Sequence, residues 1–360
     1  MSIIPFRRPS DAKGKQKGNK KKIRGRRKQN YPTRQIMNRI LLAFIMLLHV
    51  ITISADNKAQ LLKLDEAIEQ VEKLQTKKMM KIDMLRNSLR RSANDNERMS
   101  LCYDIFNEFH VLQFDSALHY IDKVHEMATR TSNRHIREMA IVDKAELLGM
   151  GGFYPEAIEL LDKEPLDSTD NKVMFKSYIA HFRIYLYWAD YCNDAVFTPI
   201  YRERASKNLE TAMRFIGASP ATEYYRGEYY IYVKHDNRNA LEYYFRVIRS
   251  TPHDAREYAM AANAVAHNYS AKGDMEHYEY YLIEAAHSDL LNCTRENMAL
   301  QDLAMFLYQQ GEDNMERAER YINLAMEDAK LFNNRLRIIE ISQKLPVIVG
   351  AYKQLMKRRN

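Results

Sequence analysis

Glycine and proline are scarce, with eleven and nine in 360 residues. A sheet protein of this length needs more turn chemistry than that, so the scarcity favours long helices joined by short loops. Cysteine is rarer still. Cys102, Cys192 and Cys293 lie far apart and show no paired spacing, which excludes a disulfide framework or a zinc knuckle and leaves buried thiols in helices. There is no long hydrophobic run. The longest, ILLAFIMLLHVITI at Ile40 to Ile53, falls short of the roughly 20 residues a membrane helix needs. Catalytic signatures are absent too: no His-Glu-x-x-His, no Gly-Lys-Ser/Thr phosphate loop and no Gly-x-Ser-x-Gly elbow. None of the eleven histidines pairs with another at i, i+4. The one glycine cluster, Gly149 to Gly152, follows one predicted helix and precedes another with no strand nearby, so it reads as a turn. The expectation is a protein that is not an enzyme and needs no cofactor and no metal.

Charge is unevenly placed. The net charge of +8 suggests a nucleic-acid partner, but residues 1–55 hold 14 Lys/Arg against Asp11 alone. That leaves 41 Lys/Arg against 46 Asp/Glu in residues 56–360, a net of about −5, so the body is mildly acidic and no nucleic-acid partner is expected. Arg39 before the apolar run and Ser54 and Ala55 after it have the layout of a secretory signal peptide, cleaved near Ala55. A start at Met37 gives this segment ordinary length, making residues 1–36 an over-extended gene start. The alternative is an uncleaved anchor at residues 40–53 with a basic cytoplasmic tail. Either places the body outside the cytoplasm, periplasmic or anchored in the inner membrane, with membrane contact through the N-terminal segment only.

From Leu61 to Leu89 the spacing alternates three and four through Leu64, Ile68, Val71, Gln75, Lys78, Ile82 and Leu85, one helical seam that ends at Asn94 and Asp95. It serves either a homodimer through residues 61–89 or a helical lead, residues 56–95, that covers the first repeat. The repeats follow over residues 96–330. A tetratricopeptide unit sets small residues at positions 8, 20 and 27 so that paired helices can interlock. Ala117, Ala157, Ala240, Tyr278 and Ala318 fall at position 20 of successive units, with large apolar residues four further on. One unit is missing from that series. It should lie between Asn171 and Gly217, divided near Pro199, in a register that the pattern does not assign. Residues 331–360 read as a capping helix interrupted at Pro346. The predicted fold is therefore all-α, a tetratricopeptide-like α-solenoid of about six helical hairpins with a heptad-patterned N-terminal helix and a C-terminal cap.

Several blocks carry a likeness: MNRILL from Met37, FDSALHY at Phe114 to Tyr120, YLYWADYCND at Tyr185 to Asp194, and NNRLRIIEISQKLPVI at Asn333 to Ile348. Through them the chain resembles exported tetratricopeptide regulators of Bacteroidetes type that contain a large domain of unknown function. The resemblance implies sensing or transcriptional regulation, and such proteins usually continue into a membrane helix and a cytoplasmic output region. No second hydrophobic run precedes Asn360, so an output region is expected to be absent, truncated or supplied by another protein.

Tyrosine, with 24 residues, is the enrichment that bears on binding. Positions 5, 9 and 12 of each first helix should face the concave groove. In three successive units these are Tyr225, Tyr229 and Tyr232, then Asn263, His267 and Ser270, then Gln301, Met305 and Tyr308. They form either a binding strip or solvated surface. As a strip they suit a protein or peptide segment, or a glycan, packing on the rings and bonding to the amides. No Lys or Arg occupies these positions, which disfavours a carboxylate clamp. The expected function is an extracytoplasmic ligand- or protein-binding repeat domain, a sensor or scaffold in a signalling pathway. The alternative is a structural assembly factor of the cell envelope.

Overall fold

The computed structural model describes residues 56–359 apart from positions 165, 168 and 297. The basic tail, the signal or anchor segment and the cleavage point near Ala55 lie outside the described residues. Within those residues every regular element is helical, and no helix is long and apolar enough to cross a membrane.

Helix α1 (residues 56–69) and α2 (Val71–Arg91) form the lead, with a turn at Gln70 dividing what the heptad spacing presents as one seam. Six antiparallel pairs follow: α3 (Asp95–Phe109) with α4 (Phe114–Arg130), α5 (Arg134–Met150) with α6 (Tyr154–Lys163), and α7 (Asn171–Cys192) with α8 (Phe197–Ala212). The second three are α9 (Pro220–Tyr232) with α10 (Asn237–Ser250), α11 (Arg256–Ala271) with α12 (Met275–Leu291), and α13 (Met298–Gln309) with α14 (Met315–Phe332). Helix α15 (Arg335–Arg359) closes the series and runs unbroken through Pro346, where an interruption was expected. Proline removes one backbone donor and crowds the preceding turn, yet buried Ile341 and Ile348 hold the helix down on either side of it.

Boundaries come from local chemistry. Asn94, Asp170, Ser219, Asp236 and Asp274 each accept hydrogen bonds from backbone amides of the first turn that follows, satisfying donors that the helix itself leaves unpaired. The glycine cluster is a helix stop. Gly152 sits at φ +86°, where a side chain would be strained, and the Phe153 amide then reaches back to the Leu148 carbonyl at 2.9 Å.

The pairs interlock as the small-residue series requires. Ala117, Ala157, Ala240 and Ala318 are fully buried, each in the first turn of a second helix. The missing unit is α7 with α8. Its small-large-small set is Ala205, Leu209 and Ala212, all fully buried, so its crossing falls later than even spacing predicts, because α7 is long and a loop precedes it. Pro199 lies inside the first turn of α8, and the division itself is at Asn193, in the left-handed conformation.

The array does not end in open faces. Leu61 and Leu64 of α1 are buried in one core with Leu282, Leu303 and Ile322 of the last pairs. Asp65 accepts hydrogen bonds from Arg317 at 2.8 Å, from Tyr321 at 2.7 Å and from Arg320. Ile82 of α2 joins the core of α3 and α4, so the apolar residues of the seam are spent inside the chain. On the other side the α12–α13 loop meets the α3–α4 turn: the Arg295 amide donates to the Val111 carbonyl at 2.9 Å, and its guanidinium donates to the Leu112 carbonyl at 3.1 Å. Arg335 stacks on Phe153, 4.0 Å from the ring centre. The pairs thus follow a curved path that returns on itself.

Candidate functional site

Closure turns the inner faces of the first helices towards a common interior. On each, residues three and four apart share a face: Arg183, Tyr187 and Asp190 on α7, Tyr225, Glu228 and Tyr232 on α9, and Arg256, Met260, Asn263 and His267 on α11. Arg337 of α15 and Glu296 of the α12–α13 loop complete one cavity of about 400 Å³. A second, of about 420 Å³, is lined by His110, Asp143, Glu146, Lys176 and Phe175 among others. The two share Arg183, Tyr224, Tyr225, Arg256 and Met260, so they meet at an arginine- and tyrosine-rich waist. Such volumes suit a small-molecule ligand.

The waist is charged and largely buried. Arg183 pairs with Glu146 and donates to the Tyr187 hydroxyl at 2.7 Å. Burial pushes the Glu146 carboxyl up, but Arg183, Arg256 and Lys176 outweigh it and hold the group at about 2. Arg337, 3% exposed, pairs with Glu340 at 2.7 Å. Arg256 donates to His110 Nε2 at 2.8 Å. Burial, then the Arg256 charge, drives the His110 ring down to about 3, so the imidazole is neutral. With Nδ1 facing the Asn107 carbonyl at 3.2 Å, Nε2 is the acceptor. Arg183, Arg256 and Arg337 each stand 4.0 Å from one carboxylate, that of Glu296.

Behind the waist, Glu228 accepts from the Tyr244 hydroxyl at 2.6 Å. Burial raises its carboxyl to about 7 against the hydrogen bonds from Tyr244 and Tyr224. This contact depends on Gly227, because a Cβ there would lie 2.4 Å from the Tyr244 ring. Burial also lifts Asp289 well above the carboxylate range against the pull of Arg256. Asn263 Oδ1 accepts no hydrogen bond from a described residue although it is buried. The arrangement can hold a polar ligand between tyrosine faces and hydrogen-bond it on several sides. Among the described residues no cluster of three His, Cys, Asp or Glu is placed to hold a metal.

A family model described as the SusR N-terminal TPR domain matches residues 68–343. The chain belongs to this family. No curated protein matches it. As a SusR-type TPR domain it is a helical-repeat protein of a regulatory or binding kind, on a fold that typically serves as a non-catalytic scaffold and generally binds proteins or peptides.

Of the nine strip residues, the SusR-type domain brings four to the cavity: Tyr225, Tyr232, Asn263 and His267. Tyr229 packs against the α7–α8 core with Lys234 over its ring, and Ser270 lies beyond the cavity near the end of α11. Gln301, Met305 and Tyr308 are kept from it because α15 lies along α13, where Gln301 donates to Glu340 at 3.1 Å and Lys344 pairs with Asp302 at 2.8 Å. The arginines escaped the strip for a related reason. Arg183 belongs to the unit whose register was unassigned, Arg337 to the cap, and Arg256 opens α11 ahead of the positions expected to face inward.

Proposed function

We propose that this domain is an extracytoplasmic sensor or scaffold that takes a small polar ligand, or the end of a glycan or peptide chain, inside the closed array and passes occupancy on as a regulatory signal. The observation that carries this reading is the interior wall itself. Tyrosines, an unpaired amide oxygen and matched charges from separate helices converge on one space, an expensive arrangement for a stack held together elsewhere by alanine crossings. The apolar segment at residues 40–53 supports an extracytoplasmic location. A route for the signal lies in the α12–α13 loop, which carries Glu296 into the cavity and, one residue before it, Arg295 onto the α3–α4 turn.

Native mass spectrometry tests the reading on the full chain incubated with the small-molecule fraction of an envelope extract. A bound mass should appear with wild type and with Tyr229→Ala, and be lost with Tyr225→Ala and weakened with Tyr225→Phe, all four melting within a few degrees of one another. Equal retention by Tyr225→Ala and Tyr229→Ala would sink the interior site.

A further inference from the structure

The three arginines differ in how well they are matched. Arg183 has Glu146 and Arg337 has Glu340 as close carboxylate partners, whereas among the described residues Arg256 has only a neutral imidazole at hydrogen-bond distance. Its one ion pair among the described residues is with Glu296, at 4.0 Å. A guanidinium and a carboxylate in full contact approach to about 2.7–2.9 Å, so Glu296 sits between three cations without closing on any of them. It is also carried by a loop, while Arg183, Arg256, Arg337, Glu146 and Glu340 are all held on helices. Arg337 Nε is buried and accepted by no described residue.

We infer that Glu296 is an internal stand-in for a carboxylate of the ligand, and that Arg183, Arg256 and Arg337 are the anchor for that carboxylate. The inference rests on the interior site above and narrows its ligand to a small hydroxylated organic acid of the uronic-acid class. With Glu296 in place the three cations meet three carboxylates. When it withdraws, one positive charge, that of Arg256, is left uncompensated in a largely buried site, and a ligand carboxylate restores the balance. Tyr225 lines both cavities and Tyr187 the first of them, where Arg183 and Arg337 lie over its ring, so the guanidinium groups adjoin an aromatic lining against which the apolar side of a sugar can pack. This reverses the expectation from the groove positions, which held no cation.

Isothermal titration calorimetry on the full chain tests it with glucuronate and glucose as the probe pair and inorganic sulfate as competitor. Wild type should bind glucuronate more tightly than glucose. Glu296→Gln removes the internal competitor while keeping its shape, and should tighten glucuronate by about tenfold or more and leave glucose unchanged. Arg256→Met should abolish the preference. A single cooperative melt above the titration temperature establishes that each variant is folded. If glucuronate binds no better than glucose to both wild type and Glu296→Gln, the anchor is overturned. Glucose binding that Tyr225→Phe weakens would in that case leave the interior site standing. Displacement of glucuronate by equimolar sulfate would overturn the carboxylate assignment in favour of a general oxyanion site.

Discussion

The helix crossings and the cavity wall are built within one helical array by opposite means. At a crossing, Ala117, Ala157, Ala205, Ala240 or Ala318 lets two backbones approach, and each does so against its own neighbour alone. At the wall, Arg183, Arg256, Arg337 and Glu296 come from α7, α11, α15 and a loop, and they meet only because the array returns on itself. A crossing is a local device repeated many times. The wall is a single device assembled once, from residues that share no position in the repeat. Stability at a crossing should therefore depend on volume, and at the wall on charge balance.

The largest effect should come from unbalancing the wall. Arg337→Ala leaves Glu340 without its close guanidinium partner and takes one of three arginines from around Glu296, and should cost about 3 kcal/mol or more of unfolding free energy in a urea titration. A loss under 1 kcal/mol would mean that the wall contributes nothing to the fold. At a crossing, Ala240→Leu should overpack the α9–α10 contact and cost about 1 to 3 kcal/mol, while the exposed Glu242→Ala should stay within about 0.5 kcal/mol. Equal melts for these two would remove the register on which every crossing rests.

This contrast also explains how much could be read in the sequence. The crossings were legible because small residues recur with large ones four further on, and only the α7–α8 unit, lengthened by a 22-residue helix, hid its register. The all-helical class, the lead and the cap followed from the same periodicity. Closure was not legible. Nothing in the spacing of Asp65 announces that it meets Arg317 and Tyr321, or in Arg295 that it reaches Val111, because such contacts join chain segments with no shared pattern. Four of the nine groove positions line the cavity, all of them on the first helices α9 and α11. The three on α13 do not, since the cap that ends the stack also covers its concave side.

A smaller, pH-dependent effect separates the two regions further. The Glu228 carboxyl is raised by burial to about 7, above the ordinary range it has in the unfolded chain. A raised carboxylate binds its proton more tightly in the folded state. Its contribution is therefore fully present below the unfolded value and is lost as pH rises through 7. Between pH 5 and pH 8 the stability of wild type relative to Glu228→Gln should fall by about 2 kcal/mol, a comparison that cancels the opposite trend from the depressed His110. Chemical denaturation of both proteins across that range measures it. A constant difference would show that Glu228 is not held in its protonated form behind the wall.

The interior wall forms only if the array closes, and the Arg295 backbone amide reports on closure directly. That amide lies in the α12–α13 loop and donates to the Val111 carbonyl across the ring at 2.9 Å. Native-state hydrogen exchange should find it protected to within about 1 kcal/mol of the amides in α3 and α12, because it opens only when the ring does. Exchange at the rate of an unpaired loop amide, with α3 and α12 still protected, would mean that the array is open and that no interior wall forms.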